Sequence, residues 1–503
     1  MTSERVSQLG EWSGGLPFIL AATGAAVGLG NIWKFPYIVG ENGGGAFVLV
    51  YLFFVFVIGL PIFMSEMMIG RRGRQSPYHS IYILASEEQQ SRKWAKLGGL
   101  VAIAGFLILS YYSVVAGQVM AYSIRVVSGV FDGMSADGVL NIYNQFRSNP
   151  ETLLAWHTLF LVVTGIVVAR GVNKGLEKTV KIMIPALIIM LLILIAYAVY
   201  NHSFVNGASY LFDFDFKKLV FERDLTGSYV VDSNGSYQFT FKGILMAMGH
   251  AFFTLGISVG AMMIYGAYLD RNVSILKLAF TVAVADTMIA LLAGLAIFPI
   301  VFSYGLSAAQ GPGLVFTTLP IAFGSMNFGS VIGFLFFLTL FFAALTSAIA
   351  LLEPSVTWLI ERSKMTRIQA VVWAGIACWL VGVISVFSLS GTNLKAIVFA
   401  IADVFHIGDI DVSHRIYELT GFQVIDGIVT LVLLPVGGLL IAIFAGWIIS
   451  SPNSLDELNI KRPFLYKTWQ ILIRYVSPLL VLVIFVAGLI EWINKYLLYQ
   501  PVL

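Results

Sequence analysis

Apolar residues fall along this chain in eleven long stretches: near Leu16–Val39, Ala46–Ile69, Leu97–Val127, Leu154–Ala169, Thr179–Tyr200, Gly243–Leu269, Leu276–Val301, Val331–Leu359, Ala370–Phe387, Gly427–Ile449 and Val476–Leu497. Polar residues gather in the pieces between them. A helix needs roughly 20 apolar residues to cross a hydrocarbon layer about 30 Å thick, and the stretches are of that order. They are too long and too uniformly apolar for barrel strands, and a helix satisfies its own backbone where water cannot reach. The pattern predicts an all-α integral membrane bundle of eleven transmembrane helices in a single domain, residues 1–503.

Composition agrees. The 503 residues are 58% apolar and 11% charged, with mean hydropathy +0.87, against about 25% charged in a soluble domain. So few charges cannot cover a water-exposed surface of this size, and a lipid bilayer is the expected surrounding. The lone cysteine, Cys378, excludes an intrachain disulfide and a multi-cysteine metal site. A net charge of +3 gives no basic excess for a nucleic-acid partner. The start, Met1 to Trp12, is polar and mixed in charge, so no cleaved signal peptide is expected. No nucleophile with a base, no metal-ligand cluster and no phosphate loop stands out, which argues against an enzyme.

Lys and Arg follow the even-numbered stretches. Arg71, Arg72, Arg74, Arg92, Lys93 and Lys96 follow the second, and Arg170, Lys174, Lys178 and Lys181 the fourth. Arg271 and Lys277 follow the sixth, Arg362, Lys364 and Arg367 the eighth, and Lys461, Arg462, Lys467 and Arg474 the tenth. Roughly two thirds of the positive charge therefore lies on one side, which the positive-inside rule makes cytoplasmic. The N-terminus is expected inside the plasma (cell inner) membrane and the C-terminus outside. The larger outer segments, Phe131–Thr152, His202–Lys242 and Leu389–Gln423, are each too short for a separate domain.

Two stretches carry signs of a break at mid-depth: Gly24-Ala-Ala-Val-Gly28-Leu-Gly30-Asn31 in the first, and Thr254-Leu-Gly256-Ile-Ser-Val-Gly260 in the sixth. Each glycine costs a helix interior about 1 kcal/mol relative to alanine. Gly24 and Gly28, four apart, equally suit a helix-packing face. The matching positions suggest two repeats, 16–200 and 243–449, after an N-terminal segment 1–15 and around an outer loop 201–242, with an eleventh helix at 471–498. Broken helices in corresponding places point to a transporter's central site, where helix N-termini meet an anion and freed carbonyls meet a cation.

The run Gly28-Leu-Gly30-Asn31-Ile-Trp-Lys-Phe35-Pro36-Tyr and then Glu41-Asn-Gly-Gly-Gly-Ala-Phe47 resembles the opening signature of the neurotransmitter:sodium symporter family. The likeness extends from Trp12 to about Ile449 and includes Tyr111-Tyr112, Phe252-Phe253-Thr254-Leu255 and Ala343-Ala-Leu-Thr346-Ser347. Eleven stretches, short outer loops and no cysteine pair are similar to the bacterial amino-acid branch. The resemblance implies a 5+5 inverted repeat with broken first and sixth helices, and sodium-coupled, alternating-access symport of an amino acid. Proton coupling is the nearest rival, with Asp286, Glu66 or His250 as carrier, and a channel or receptor-like protein is the other class.

The resemblance also implies site residues. One sodium would meet the Ala26 carbonyl, Asn31, Thr254 and Asp286, together with the substrate carboxylate. A second would meet carbonyls of Gly24, Val27 and Ala343 and the hydroxyls of Thr346 and Ser347. Relatives commonly have asparagine where Asp286 stands, and animal members need chloride to offset charge. Asp286 supplies that charge itself and Ala290, one turn on, offers a halide nothing, so two sodium ions and no chloride are expected. Monoamine carriers place an aspartate where this chain has Gly28; glycine implies a substrate that brings its own carboxylate. That carboxylate would meet the amides of Leu29 and Gly30 and the Tyr112 hydroxyl. The ammonium would meet carbonyls around Ala26, Phe253 and Thr254, and the side chain a pocket of Ile108, Phe253, Gly256, Val259, Ser347 and Leu351. The pocket holds no charge and two small residues, which favours leucine-sized to aromatic substrates, tryptophan included. Either a monomer or a homo-oligomer fits.

For gates, the resemblance matches Lys34 and Asp426 to an outer ion pair. It matches Trp12, Tyr268 and Glu361 to an inner gate, with Leu9 in place of the usual arginine and Arg5 further upstream. Gly175 and Pro185 have the spacing linked in relatives to local unwinding, and equally that of a cap glycine and a proline kink. His250 is read as a neutral core residue or a partner of Asp286. Glu66 and Glu353 are expected to brace broken backbone.

Overall fold

The computed structural model describes residues 10–202, 204–224, 227–232, 235–306, 313–392 and 419–494. Two short helices, α1 (Gly15–Ala26) and α2 (Leu29–Glu41), meet at a bend of 61°. They are followed by α3 (Gly45–Gly73), α4 (Arg92–Val127), α5 (Pro150–Ala169) and α6 (Val172–Tyr200). Next come α7 (Lys242–Thr254) and α8 (Ala261–Ala267). The rest is α9 (Ile275–Ser303), α10 (Gly329–Ser363), α11 (Arg367–Leu389), α12 (Gly421–Ile448) and α13 (Pro463–Ile493).

Among the described residues nine helices are long and apolar enough to cross a membrane, and α1 with α2 makes a tenth if the bent pair is one span. The sixth apolar stretch is carried by α7 and α8 with residues 255–260 non-helical between them, so neither piece reaches spanning length. Burial separates centre from rim: 78% of the apolar window of α10 is enclosed, against 11% for α13. The breaks in α1–α2 and α7–α8 lie against α10 and α4, the long helices of the interior.

Local chemistry fixes the helix starts. Thr366 and Gln369 form a reciprocal capping box at α11, as do Thr420 and Gln423 at α12, and Asn149 accepts from the Thr152 amide at α5 (2.9 Å). In α6 the backbone stays helical through Gly175 and Pro185 from an opening π-turn over Val172–Glu177. A Cβ on Gly175 would lie 2.2 Å from the Val167 carbonyl, so glycine there permits a close approach and the segment is wound. The segment before α7 closes over the α2–α3 turn: Gly45 donates to the Asp213 carbonyl (3.0 Å), and Tyr210 donates to Glu41 (3.1 Å).

Candidate functional site

At the first break, Val27 and Gly28 are extended, and the helix restarts at Leu29. The Gly24 and Val27 carbonyls, left by the break, both accept from the Ser347 hydroxyl of α10 (3.2 and 3.0 Å). One residue earlier, the Thr346 hydroxyl donates to the carbonyls of Phe342 and Ala343 (3.0 and 3.2 Å). A Cβ on Gly24 would come within 2.9 Å of the Thr346 Cβ, so α1 and α10 touch at this level. Gly24, Val27, Ala343, Thr346 and Ser347 thus form one patch of oxygens.

The second cluster joins three elements. Asn31, in the first turn of α2, donates from Nδ2 to Asp286 Oδ1 (2.8 Å) and to Thr254 Oγ1 (3.2 Å). Thr254, the last residue of α7, donates to Asp286 Oδ2 (2.6 Å). Asn31 Oδ1 accepts the Gly28 amide (3.1 Å), and its second lone pair remains for another donor or a cation. Asp286, in the middle of α9, is fully buried and its recorded partners are neutral. Both patches are all-oxygen sets, the chemistry hard cations take.

Between them lies the apolar wall. The Tyr112 hydroxyl accepts the Leu29 amide (3.3 Å), and a Cβ on Gly28 would meet the Tyr112 and Ser347 hydroxyl oxygens at 3.4 and 3.3 Å. A side chain at Gly28 would therefore enter the space those hydroxyls face, while Gly30 has open space around it. Ala26, Ile108, Val259 and Leu351 are buried; Phe253 is 45% exposed. Gly256, at φ +58°, stands 3.7 Å from the Ala25 carbonyl when a Cβ is added, which brings the two breaks together.

The second break is held from outside. Ser258 adopts φ +67°, a left-handed conformation that costs a non-glycine residue about 1–3 kcal/mol. Its amide donates to Glu66 Oε1 (2.6 Å), a carboxylate with no exposed surface. Glu66 therefore braces broken backbone. Gly105 of α4 was not anticipated: a Cβ there would lie 2.7 Å from the Val259 carbonyl, so its smallness lets α4 press on the unwound strand. A glycine among the many in an apolar helix gives no sequence signal of that contact. His250 stacks on Phe35 and packs at a tilt against Tyr51 (5.0 and 5.7 Å between centroids) rather than hydrogen-bonding Asp286, and its Nε2 has no hydrogen-bond partner.

Around the expected gates the pairings differ. Lys34 and Asp426 are not in ion-pair contact: the Lys34 ammonium sits 6.0 Å from the Phe253 ring centroid, and Asp426 takes the Tyr111 hydroxyl. At the other end Trp12 is buried, its indole donating to the Tyr265 carbonyl and its amide to the Tyr268 carbonyl (both 3.0 Å). The Tyr268 hydroxyl donates to Glu353 (2.6 Å), and Arg367 holds Glu353 through both oxygens (2.7 and 2.5 Å). The expected partner Glu361 is elsewhere. Two turns further along α10, it accepts the Ser76 amide (2.7 Å) and pairs with His79 (2.5 Å). Arg5 lies outside the described residues. Glu361→Gln is expected to release helix Pro77–Glu87, speeding amide exchange there about tenfold while Trp12 stays buried; unchanged exchange would remove Glu361 as its anchor.

Comparison with known proteins decides the family. The model of the sodium:neurotransmitter symporter family matches residues 9–132 and 134–410. The chain belongs to that family. It is 32% identical over 479 residues to YhdH of Bacillus subtilis (strain 168), described as an uncharacterized sodium-dependent transporter, covering 94% of this chain and 96% of that one. A sodium-dependent transporter of Haemophilus influenzae is 30% identical over 485 residues, covering 95% and 98%. Among solved structures, MhsT in complex with L-phenylalanine matches with a TM-score of 0.78 and 35% identity over 95% of this chain and 99% of that one. The protein is thus a multi-pass membrane transporter of the sodium-dependent symporters, in their bacterial branch, and not an enzyme.

Proposed function

We propose that this symporter couples two sodium ions to uptake of a neutral, hydrophobic amino acid, from leucine-sized to aromatic, without chloride. The observation that carries the reading is Asp286: a fully buried carboxylate whose recorded partners are a hydroxyl and an amide, at the meeting point of two helix breaks. A buried charge needs a counter-charge. A sodium ion at Asn31, Thr254 and Asp286 would supply it and take the substrate carboxylate as a further ligand. The neutral patch of Gly24, Val27, Ala343, Thr346 and Ser347 suits a second ion. Neither cluster includes a basic side chain, so chloride would find no counter-charge there.

The Gly30 amide at the start of α2, with the Leu29 amide and the Tyr112 hydroxyl that now bond each other, suits the substrate carboxylate. Ala26, Phe253 and Thr254 supply carbonyls for the ammonium. Ile108, Gly256, Val259 and Leu351 leave an apolar space beside Phe253, and the phenylalanine bound in MhsT is of the class proposed. An exposed Phe253 with Lys34 and Asp426 apart, against a buried Trp12, fits a conformation open toward Lys34. We read the bundle as eleven spans, a 5+5 inverted repeat plus α13, with the Trp12 end cytoplasmic and the C-terminus outside.

Uptake of a radiolabelled amino-acid panel into proteoliposomes at fixed pH tests this. Leucine, phenylalanine and tryptophan should accumulate only with sodium outside, equally well with chloride or gluconate. Uptake without sodium overturns the coupling; preference for glycine or glutamate overturns the substrate class.

A further inference from the structure

At the Phe131–Thr152 end of the bundle, two arginines stand without counter-ions among the described residues. Arg125, in the last turn of α4, lies 4.3 Å from the Phe146 ring centroid and 5.5 Å from that of Tyr122. Arg147, ending helix Ala136–Arg147, lies 5.4 Å from the Tyr143 ring. The rings form one cluster: Tyr122 is 6.0 Å from Phe146 and 4.9 Å from Phe316, and Phe316 stacks on Tyr143 at 6.0 Å. The guanidiniums thus flank a single aromatic platform. Nη1 of Arg125 and Nε of Arg147 are enclosed and unpartnered, as is the Tyr122 hydroxyl beside them, while the Arg147 guanidinium bonds the Tyr143 hydroxyl through another nitrogen. Asp132, close in sequence, is occupied by the Ser330 hydroxyl (3.0 and 3.2 Å).

Orphaned guanidinium edges are costly unless an anion completes them, and the planar fork matches an oxyanion. The surroundings indicate where that anion comes from. Ile124, Val127, Val130 and Leu140 are 39–54% exposed apolar neighbours, a skirt suited to the level where acyl chains give way to headgroups. An open surface depression lined by Gln145, Ser148, Asn149, Pro150 and Glu151 follows Arg147 in the chain and leaves room for the rest of a headgroup. Burial raises the Tyr143 hydroxyl above its ordinary range, while the charge of Arg147 and its hydrogen bond to that hydroxyl pull the other way.

We propose that Arg125 and Arg147 form a site for a phosphate-class oxyanion, carried either by a phospholipid headgroup or as free phosphate. The site is separate from Asp286 and does not depend on what the transporter carries. The full-length protein in detergent is mixed with phosphatidylglycerol and examined by native mass spectrometry. In parallel, its thermal unfolding is followed in inorganic phosphate against chloride at equal ionic strength. Retention of phosphatidylglycerol by the wild type that falls at least tenfold in Arg125→Gln and Arg147→Gln identifies the lipid. Phosphate-specific stabilisation lost in the same variants, with lipid retention unchanged, identifies the free anion. Arg125→Lys and Arg147→Lys, which keep charge but lose the fork, give the same comparison should a glutamine variant not fold. Equal lipid retention in wild type and variants, without phosphate-specific stabilisation of the wild type, overturns the proposal.

Discussion

Asp286→Asn is expected to weaken sodium activation of uptake by about 10- to 150-fold while leaving the protein folded. The carboxylate accepts from Asn31 at 2.8 Å and Thr254 at 2.6 Å inside a bundle that excludes water. Interactions with a charged group contribute about 1.5–3 kcal/mol each, and one tenfold step is about 1.4 kcal/mol, so losing the charge next to one bound cation accounts for that range. Asparagine keeps the shape and one acceptor, so Thr254 is not orphaned and the bundle should assemble. Thr254→Ala removes a neutral ligand and should cost about 3- to 10-fold, within a neutral hydrogen bond's range. Sodium titrations of leucine or phenylalanine uptake measure both. Equal activation in wild type and Asp286→Asn would take the ion away from this cluster; residual uptake that becomes chloride-dependent would strengthen the case that the charge is what matters.

Much of this site was legible because its signals are local. Glycines beside polar residues in mid-stretch marked both breaks, and the structure bends or unwinds the chain at Gly28 and at residues 255–260. Asn31, Thr254 and Asp286, up to 255 positions apart, do meet. What sequence could not provide was pairing among charges. Arg71 counted as a loop cation that sets orientation, yet it is 1% exposed and bound to Glu457 at 2.6 Å. Arg367 counted likewise and instead holds Glu353. Lipid solvates the outside of a bundle as readily as apolar packing fills its inside, so helical periodicity marks no buried face, and the partner of a charged residue depends on rotations that composition does not encode. The expected partnerships of Glu361 with Tyr268 and of Lys34 with Asp426 failed for that reason. So did any foresight of Gly105.

Glu353→Gln should shift the protein toward a state open at the Trp12 end. The carboxylate links four elements: Arg367 of α11 grips it and donates to the Val168 carbonyl at the end of α5 (2.7 Å), while Tyr268, just past α8, donates to it and accepts the Trp12 amide. Breaking one side of a buried pair costs about 3–5 kcal/mol, less here because the Arg367 side chain keeps 18% exposure. About 2 kcal/mol is enough to move the open-to-closed ratio roughly 30-fold. Thr23 is 2% exposed on the path between that end and the first break. In a Thr23→Cys background, where the native Cys378 is buried and slow to react, a polar thiol reagent should label at least ten times faster once Glu353→Gln is added. The double change Glu353→Gln with Arg367→Gln removes both charges, leaves no unpaired guanidinium, and should restore slow labelling in part. Labelling that stays slow in Glu353→Gln would show that Trp12 and Tyr268 hold the closed face without the ion pair.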